Sequence, residues 1–318
     1  QQRLGRAPLM QDLLQPWGLA PYPGTLSYDD VPSYVRQPHV LQSYRPSLEV
    51  QGRPLRAALL DSLVRTHCEW LNVWSHLLGS CWAAWQFACL DVSTAVPYTA
   101  TFLVASLICF TASTVAHLVG PLLSRPKCAA VWAVDHLGIA ILMGGCYLPS
   151  LSFGFRTMPT LKTLYTEIIV ALLAVAVIST AMVFRFGLGT GDEAFKRMNE
   201  SIRVRTLIAT AVFGLVPLAH FALVGPPEET ALFVPRILIM LSLYLIGLLF
   251  FLTRLPESAH PGRFDIWFSS HFLWHTFVFT GVCHYHHTIQ HMSSFVHGRM
   301  SDLQAGNISL TGLESEPR

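Results

Sequence analysis

Histidines and acids set within strongly apolar segments are the residues of this sequence best suited to chemistry. His117 closes one such segment, Asp135 lies near the start of the next, and His271 and His275 stand one helical turn apart in the last. Ionisable groups are costly in a bilayer, so those found there mark functional sites by default. Three neutral imidazoles would leave a tetrahedral zinc ion one open position for water, the pattern of catalytic sites. Zinc lowers the pKa of such a water from 15.7 to about 7, making a nucleophile available at neutral pH. Asp135 reads either as a direct ligand or as the group that holds this water and accepts its proton. Ser113, four residues before His117, shares its helix face. Spacing alone does not choose zinc over another imidazole-binding ion.

A second polar stripe occupies the first apolar segment. Glu69, Asn72 and His76 fall at i, i+3 and i+7, which makes His76 a candidate fourth ligand or all three a supporting layer behind the ligands. The alternative is a polar seam joining two helices, with Glu69 paired to Arg65. The cluster His284, His286, His287 and His291 stands a helix length away, because twelve residues from His275 to His287 span about 18 Å. It reads as interfacial histidines near the opposite headgroups, as does His220. Asp265 reads as the cap of the last helix.

The elements that must position these groups follow from composition. The chain has 318 residues, 52% hydrophobic and only 13% charged, with a mean hydropathy of +0.44. Soluble domains carry about 25% charged residues, so the fold class is an all-α integral membrane protein. A net charge of +2 gives no reason to invoke nucleic acid, and seven scattered cysteines without a CxxC pair indicate neither a disulfide framework nor a thiolate metal site. Seven apolar stretches, near 70–90, 96–119, 129–150, 161–184, 203–224, 231–252 and 264–286, approach or exceed the roughly 20 residues needed to span. Residues 1–53 read as a largely disordered cytoplasmic segment and 54–68 as an amphipathic interfacial helix, with Leu55, Ala58, Leu59, Ser62 and Leu63 on one face. Residues 69–292 form the seven-helix unit, and 293–318 a polar tail.

With the N-terminus inside, sixteen of the 21 Lys and Arg residues fall on the cytoplasmic side, five of them in the fourth loop (Arg185, Lys196, Arg197, Arg203, Arg205). The positive-inside rule therefore favours N-in and C-out. That orientation exposes the sequon Asn307-Ile308-Ser309 to the outside or lumen. It also brings His117, Asp135, His271 and His275 to one depth near the cytoplasmic face, an agreement the charge count did not impose.

These residues carry a family resemblance. ExxNxxSH at Glu69–His76, SxxxH at Ser113–His117, DxxG at Asp135–Gly138 and GxFDIWxxSHxxxH at Gly262–His275 resemble, in order, the motifs of the progestin and adipoQ receptor family. SYRP at Ser43–Pro46 is similar to the family's GYRP. The resemblance spans roughly residues 40–290, and the closing motif is most similar to the adiponectin-receptor branch. It implies seven helices with the N-terminus inside, and zinc held by His117, His271 and His275. It also places Asp135 near the metal-bound water and matches Ser113 to the serine of the second motif. Members act as receptors for adiponectin-type hormones or progestins, and some are associated with ceramide hydrolysis.

Two functions therefore stand side by side. One is a zinc-dependent hydrolase of a membrane lipid amide such as ceramide, with Asp135 moving the proton and Ser113 steadying the intermediate. The other is a steroid or protein-hormone receptor whose zinc is structural. The reading adopted combines them, in the plasma membrane or else the Golgi or endoplasmic reticulum. A G-protein-coupled receptor is disfavoured by the inverted charge bias and the lack of an NPxxY-like sequence. A histidine-based ion transporter is disfavoured because the ionisable residues gather at one face.

Overall fold

Apolar runs of this length leave the backbone one way to satisfy its hydrogen bonds in lipid, which is to coil each segment on itself. The computed structural model describes residues 20–90, 97–187 and 193–304. A short helix α1 (Leu55–Val64) precedes α2 (Trp70–Ala88), α3 (Pro97–Val119), α4 (Arg125–Gly154), α5 (Pro159–Met182), α6 (Glu193–Phe213), α7 (Leu215–Val224), α8 (Pro227–Thr253) and α9 (Ser270–Gln304). The spans 97–122, 125–154, 159–185, 201–224 and 227–253 are long and apolar enough to cross a membrane. α2 and α9 are long enough but more polar, since they carry Asn72, His76 and the histidines of the last segment.

α9 packs against α2, α3, α4 and α8, and Val282, Tyr285 and Ile289 on it are wholly buried. More than half of the most apolar stretch of α3 is buried (56%), against 22% for α5 and 17% for α8. α3 and α9 are thus interior helices, whereas α5 and α8 present Val170, Ile178, Leu245 and Leu249 outward, as lipid contact requires. Glycine sets how closely α3 and α4 approach. A Cβ at Gly138 would lie 3.0 Å from the Cys109 Cα, and one at Gly145 would lie 2.6 Å from the Ala105 Cβ.

Two sequence expectations meet a different outcome. Residues 20–53, expected to lack fixed structure, form a packed layer of turns in which Tyr22, Val31, Val40 and Tyr44 are buried. The layer covers one end of the bundle: Tyr34 donates to the Leu123 carbonyl (3.1 Å), and Tyr22 N–H donates to the Thr66 carbonyl (2.9 Å). It can order because its apolar residues pack on one another and on Cys68, just ahead of α2. The other is the end of α9, which continues twelve residues beyond 292, to Gln304. α1 lies near the expected bounds, and of the face read as apolar Ala58 and Ser62 are buried, Leu59 and Leu63 half-buried and Leu55 exposed. The Asn307 sequon lies outside the described residues.

Candidate metal centre

The site forms where the ends of three helices meet under the N-terminal layer. His117 occupies the last turn of α3, and His271 and His275 the first two turns of α9. Their four-residue spacing projects both imidazoles from one face of α9. All three offer a ring nitrogen within 4.8 Å of one another. The Nε2 atoms of His117 and His271 are 3.1 Å apart, and the rings lie 4.6–4.9 Å apart between centroids. His117 and His275 are buried, with His271 partly so.

The remaining ring nitrogens of His117 and His275 are occupied. His117 Nδ1 meets the Glu69 carboxylate at 2.6 Å, and His275 Nδ1 meets the Ser75 hydroxyl at 3.0 Å. Outer hydrogen bonds of this kind fix the tautomer and leave each Nε2 lone pair facing inward. Glu69 is itself held by the Asn72 amide at 2.7 Å and by the Gln37 amide of the N-terminal layer. Neutral imidazoles also suit the start of α9, where the positive end of the helix dipole disfavours a further positive charge. Donors of this type and closeness fit a zinc ion or another divalent cation that accepts imidazole nitrogen.

Asp135 is buried on α4 beside α3, with the Ser113 hydroxyl against its carboxyl group and the charge of His117 bearing on it. Gly138, one turn later, permits the close approach that brings it there. His76 is not part of the triad. Its ring stacks on His275 at 3.6 Å with the planes 10° apart, and neither of its nitrogens has a hydrogen-bond partner among the described residues.

Two expectations are corrected here. Glu69 does not pair with Arg65; Arg65, just past the end of α1, pairs at 3.0 Å with Asp61 in that helix's last turn. Asp265 does not cap α9. It reaches back to the N-terminal layer and accepts from the backbone N–H groups of Leu41 (3.1 Å) and Gln42 (2.8 Å). Burial pushes its carboxyl up to about 6 despite those two donors. The α9 N-terminus is capped instead by buried Glu257, which accepts from the Ser270 backbone N–H (2.7 Å) and the Ser270 hydroxyl.

Four residues that spacing did not nominate take part. Ser75, Gln37 and Glu257 act as described. Arg45, of the SYRP motif, is buried and donates to the carbonyls of His117 (2.6 Å) and Leu118 (2.8 Å) and to the Ser62 hydroxyl (2.7 Å). It satisfies the end of α3 where backbone carbonyls lack helical partners. A buried-arginine motif preceding the first span was the signal available in sequence. For Ser75 the signal was its place next to His76 in ExxNxxSH.

A family model described as haemolysin-III related matches residues 64–286. The adiponectin receptor protein of Drosophila melanogaster is 25% identical over 286 residues, covering 84% of this chain and 59% of that protein. Progestin and adipoQ receptor family member 3 of Homo sapiens is 23% identical over 302 residues, covering 90% of each. Heptahelical transmembrane protein 1 of Arabidopsis thaliana is 26% identical over 282 residues, covering 82% of this chain and 79% of that protein. The chain spans about three-fifths of the length of the fly relative. With the family's motif residues assembled at one end of a helical membrane bundle, the chain belongs to the haemolysin-III-related family, that of the progestin and adipoQ receptors.

Proposed function

We propose that this protein is a seven-span receptor of the progestin and adipoQ type that also hydrolyses a membrane lipid amide, ceramide being the favoured substrate, with zinc held by His117, His271 and His275. The seven spans are α2, α3, α4, α5, α6 with α7, α8 and α9, with the N-terminus cytoplasmic and the C-terminus outside. The observation that carries the metal reading is the pair of outer hydrogen bonds from Glu69 and Ser75, which turn two imidazoles inward beside the third. The plasma membrane is the proposed compartment, with the Golgi or endoplasmic reticulum as the alternative.

When bound, zinc supplies a polarising charge for the amide carbonyl and activates water at neutral pH. The protein's own groups do the rest. Asp135 takes a proton from the attacking water and delivers it to the amide nitrogen as the carbon–nitrogen bond breaks, giving a fatty acid and a free amine. The Ser113 hydroxyl has one proton to give: it donates to the Asp135 carboxylate and orients it, and turns to the substrate's carbonyl oxygen once Asp135 has taken the water's proton. A site within the helices suits a substrate whose chains already lie in the bilayer. A second reading, a structural ion in a non-enzymatic receptor, is favoured by one feature: the ligands join α3 to α9 and would tie those helices together.

The deciding experiment measures zinc content and ceramide turnover on the same purified sample of wild type and Asp135→Asn. About one zinc per chain in both, with turnover lost only in the variant, supports the hydrolase. Zinc with no turnover in either leaves the structural ion. A chain that holds no metal in either form sinks the reading.

A further inference from the structure

The four histidines of the outer cluster do not share one environment. His286 is buried between Trp82 and Phe102. His284 Nε2 is engaged with the Arg236 carbonyl at 2.9 Å. His287 and His291, by contrast, are both exposed and turned toward each other, with their Nε2 atoms 3.0 Å apart and ring centroids 4.4 Å apart. They sit four residues apart on α9, so one helix face presents both.

Two nitrogens each about 2.0–2.1 Å from an ion, and about 90–95° apart around it, lie about 3.0 Å from one another. The His287–His291 separation has that value, and it nearly repeats the 3.1 Å between His117 and His271 at the other end of the bundle. Depth favours access. Counted from Ser270 at 1.5 Å per residue, the pair lies about 25–32 Å along the helix, at the far boundary of a hydrocarbon core about 30 Å thick. Gln290, Ser294 and His297 near it are exposed as well, so the surface there is polar and hydrated. His297 Nδ1 is engaged with the Ser293 carbonyl (2.8 Å), and the groups whose charge bears on His291 are His287 and, after it, the Arg236 guanidinium.

We infer that His287 and His291 form a second, surface-exposed site for a divalent transition-metal cation, separate from the buried triad and on the opposite side of the bundle. Imidazole donors select copper(II), zinc or nickel over magnesium or calcium, and copper(II) binds such donors most tightly. Water fills the remaining positions, so the site takes up and releases its ion readily. An ion there clips two successive turns of α9, the helix that also carries His271 and His275.

The test uses the full chain in detergent with its resident metal, titrated with copper(II) and read by electron paramagnetic resonance. Wild type is expected to take up about one further equivalent, with a spectrum split by two nitrogens. His287→Ala and His291→Ala should each weaken it about tenfold or more, since even loss of an outer-layer partner costs that much. Both side chains are exposed, so neither variant should disturb the fold. Metal analysis of the triad ion in the same samples shows whether copper has entered the buried site instead. A copper signal that is unchanged in both variants overturns the proposal.

Discussion

A histidine ligates through one ring nitrogen, and what the other nitrogen bonds decides which one is offered. Glu69 does this for His117 and Ser75 for His275, so both should be felt in the metal rather than in the fold alone. Glu69→Ala is expected to weaken metal retention about 10–100-fold in competition with a chelator. Glu69→Gln should lose less, because an amide oxygen still accepts from Nδ1. Equal retention in wild type and Glu69→Ala would show that the hydrogen bond sets no ligand geometry. Asp265 titrates where it can be followed. Burial raises its carboxyl to about 6, so the folded chain holds this proton more tightly than the unfolded one, where the value is about 3.9. Its contribution to stability is therefore full below about pH 4 and lost as pH rises towards about 6. Melting temperature against pH should lose that segment of its slope in Asp265→Asn.

At the scale of elements, the site depends on how closely helices approach. Gly138 lets α4 lie against the backbone of α3, which brings Asp135 to Ser113 and His117. Gly138→Ala places a Cβ 3.0 Å from the Cys109 Cα, and overpacking of this kind costs about 1–3 kcal/mol. Turnover should fall further than stability, because the helix that moves carries Asp135; an unchanged ratio of activity to folded protein would contradict this. A second contact holds α9 to α4. Tyr285 donates to the Cys146 carbonyl (2.7 Å) and meets the Ser150 hydroxyl (2.5 Å) around Pro149, which interrupts the α4 ladder. Tyr285→Phe should cost about 1 kcal/mol in detergent unfolding, the size of an interhelical hydrogen bond in a membrane.

For the whole molecule, the N-terminal layer and the loops that lead into α2, α4 and α9 close the end of the bundle where the histidines lie. Arg45 links that layer to the end of α3, Gln37 links it to Glu69, and Leu41 and Gln42 link it to Asp265. Removal of residues 20–46 should therefore lower both metal retention and melting temperature, which metal analysis and thermal unfolding of the truncated chain would measure. Retained metal at wild-type stability would mean that the layer is only a cover. The proposed orientation makes a separate prediction: tags at the N-terminus should be cytoplasmic and tags at the C-terminus outside, as protease protection in sealed vesicles would read.

Hydropathy placed the five spans that are long and apolar enough to cross a membrane, because lipid forces each apolar run to satisfy its own backbone. The i, i+4 spacing of His271 and His275, together with the rarity of ionisable groups in such segments, singled out the ligand candidates without a structure. Only tertiary packing decided their partners. Glu69 meets His117 across 48 residues and Ser75 meets His275 across 200, and no local period encodes contacts of that range. The same holds for Asp265, whose position before α9 suggested a cap while its carboxylate bonds the backbone more than 220 residues earlier. A residue's helix and face are local properties of the chain; the group it meets is set by how the helices pack, and here that rests on Gly138, Gly145 and the buried Arg45.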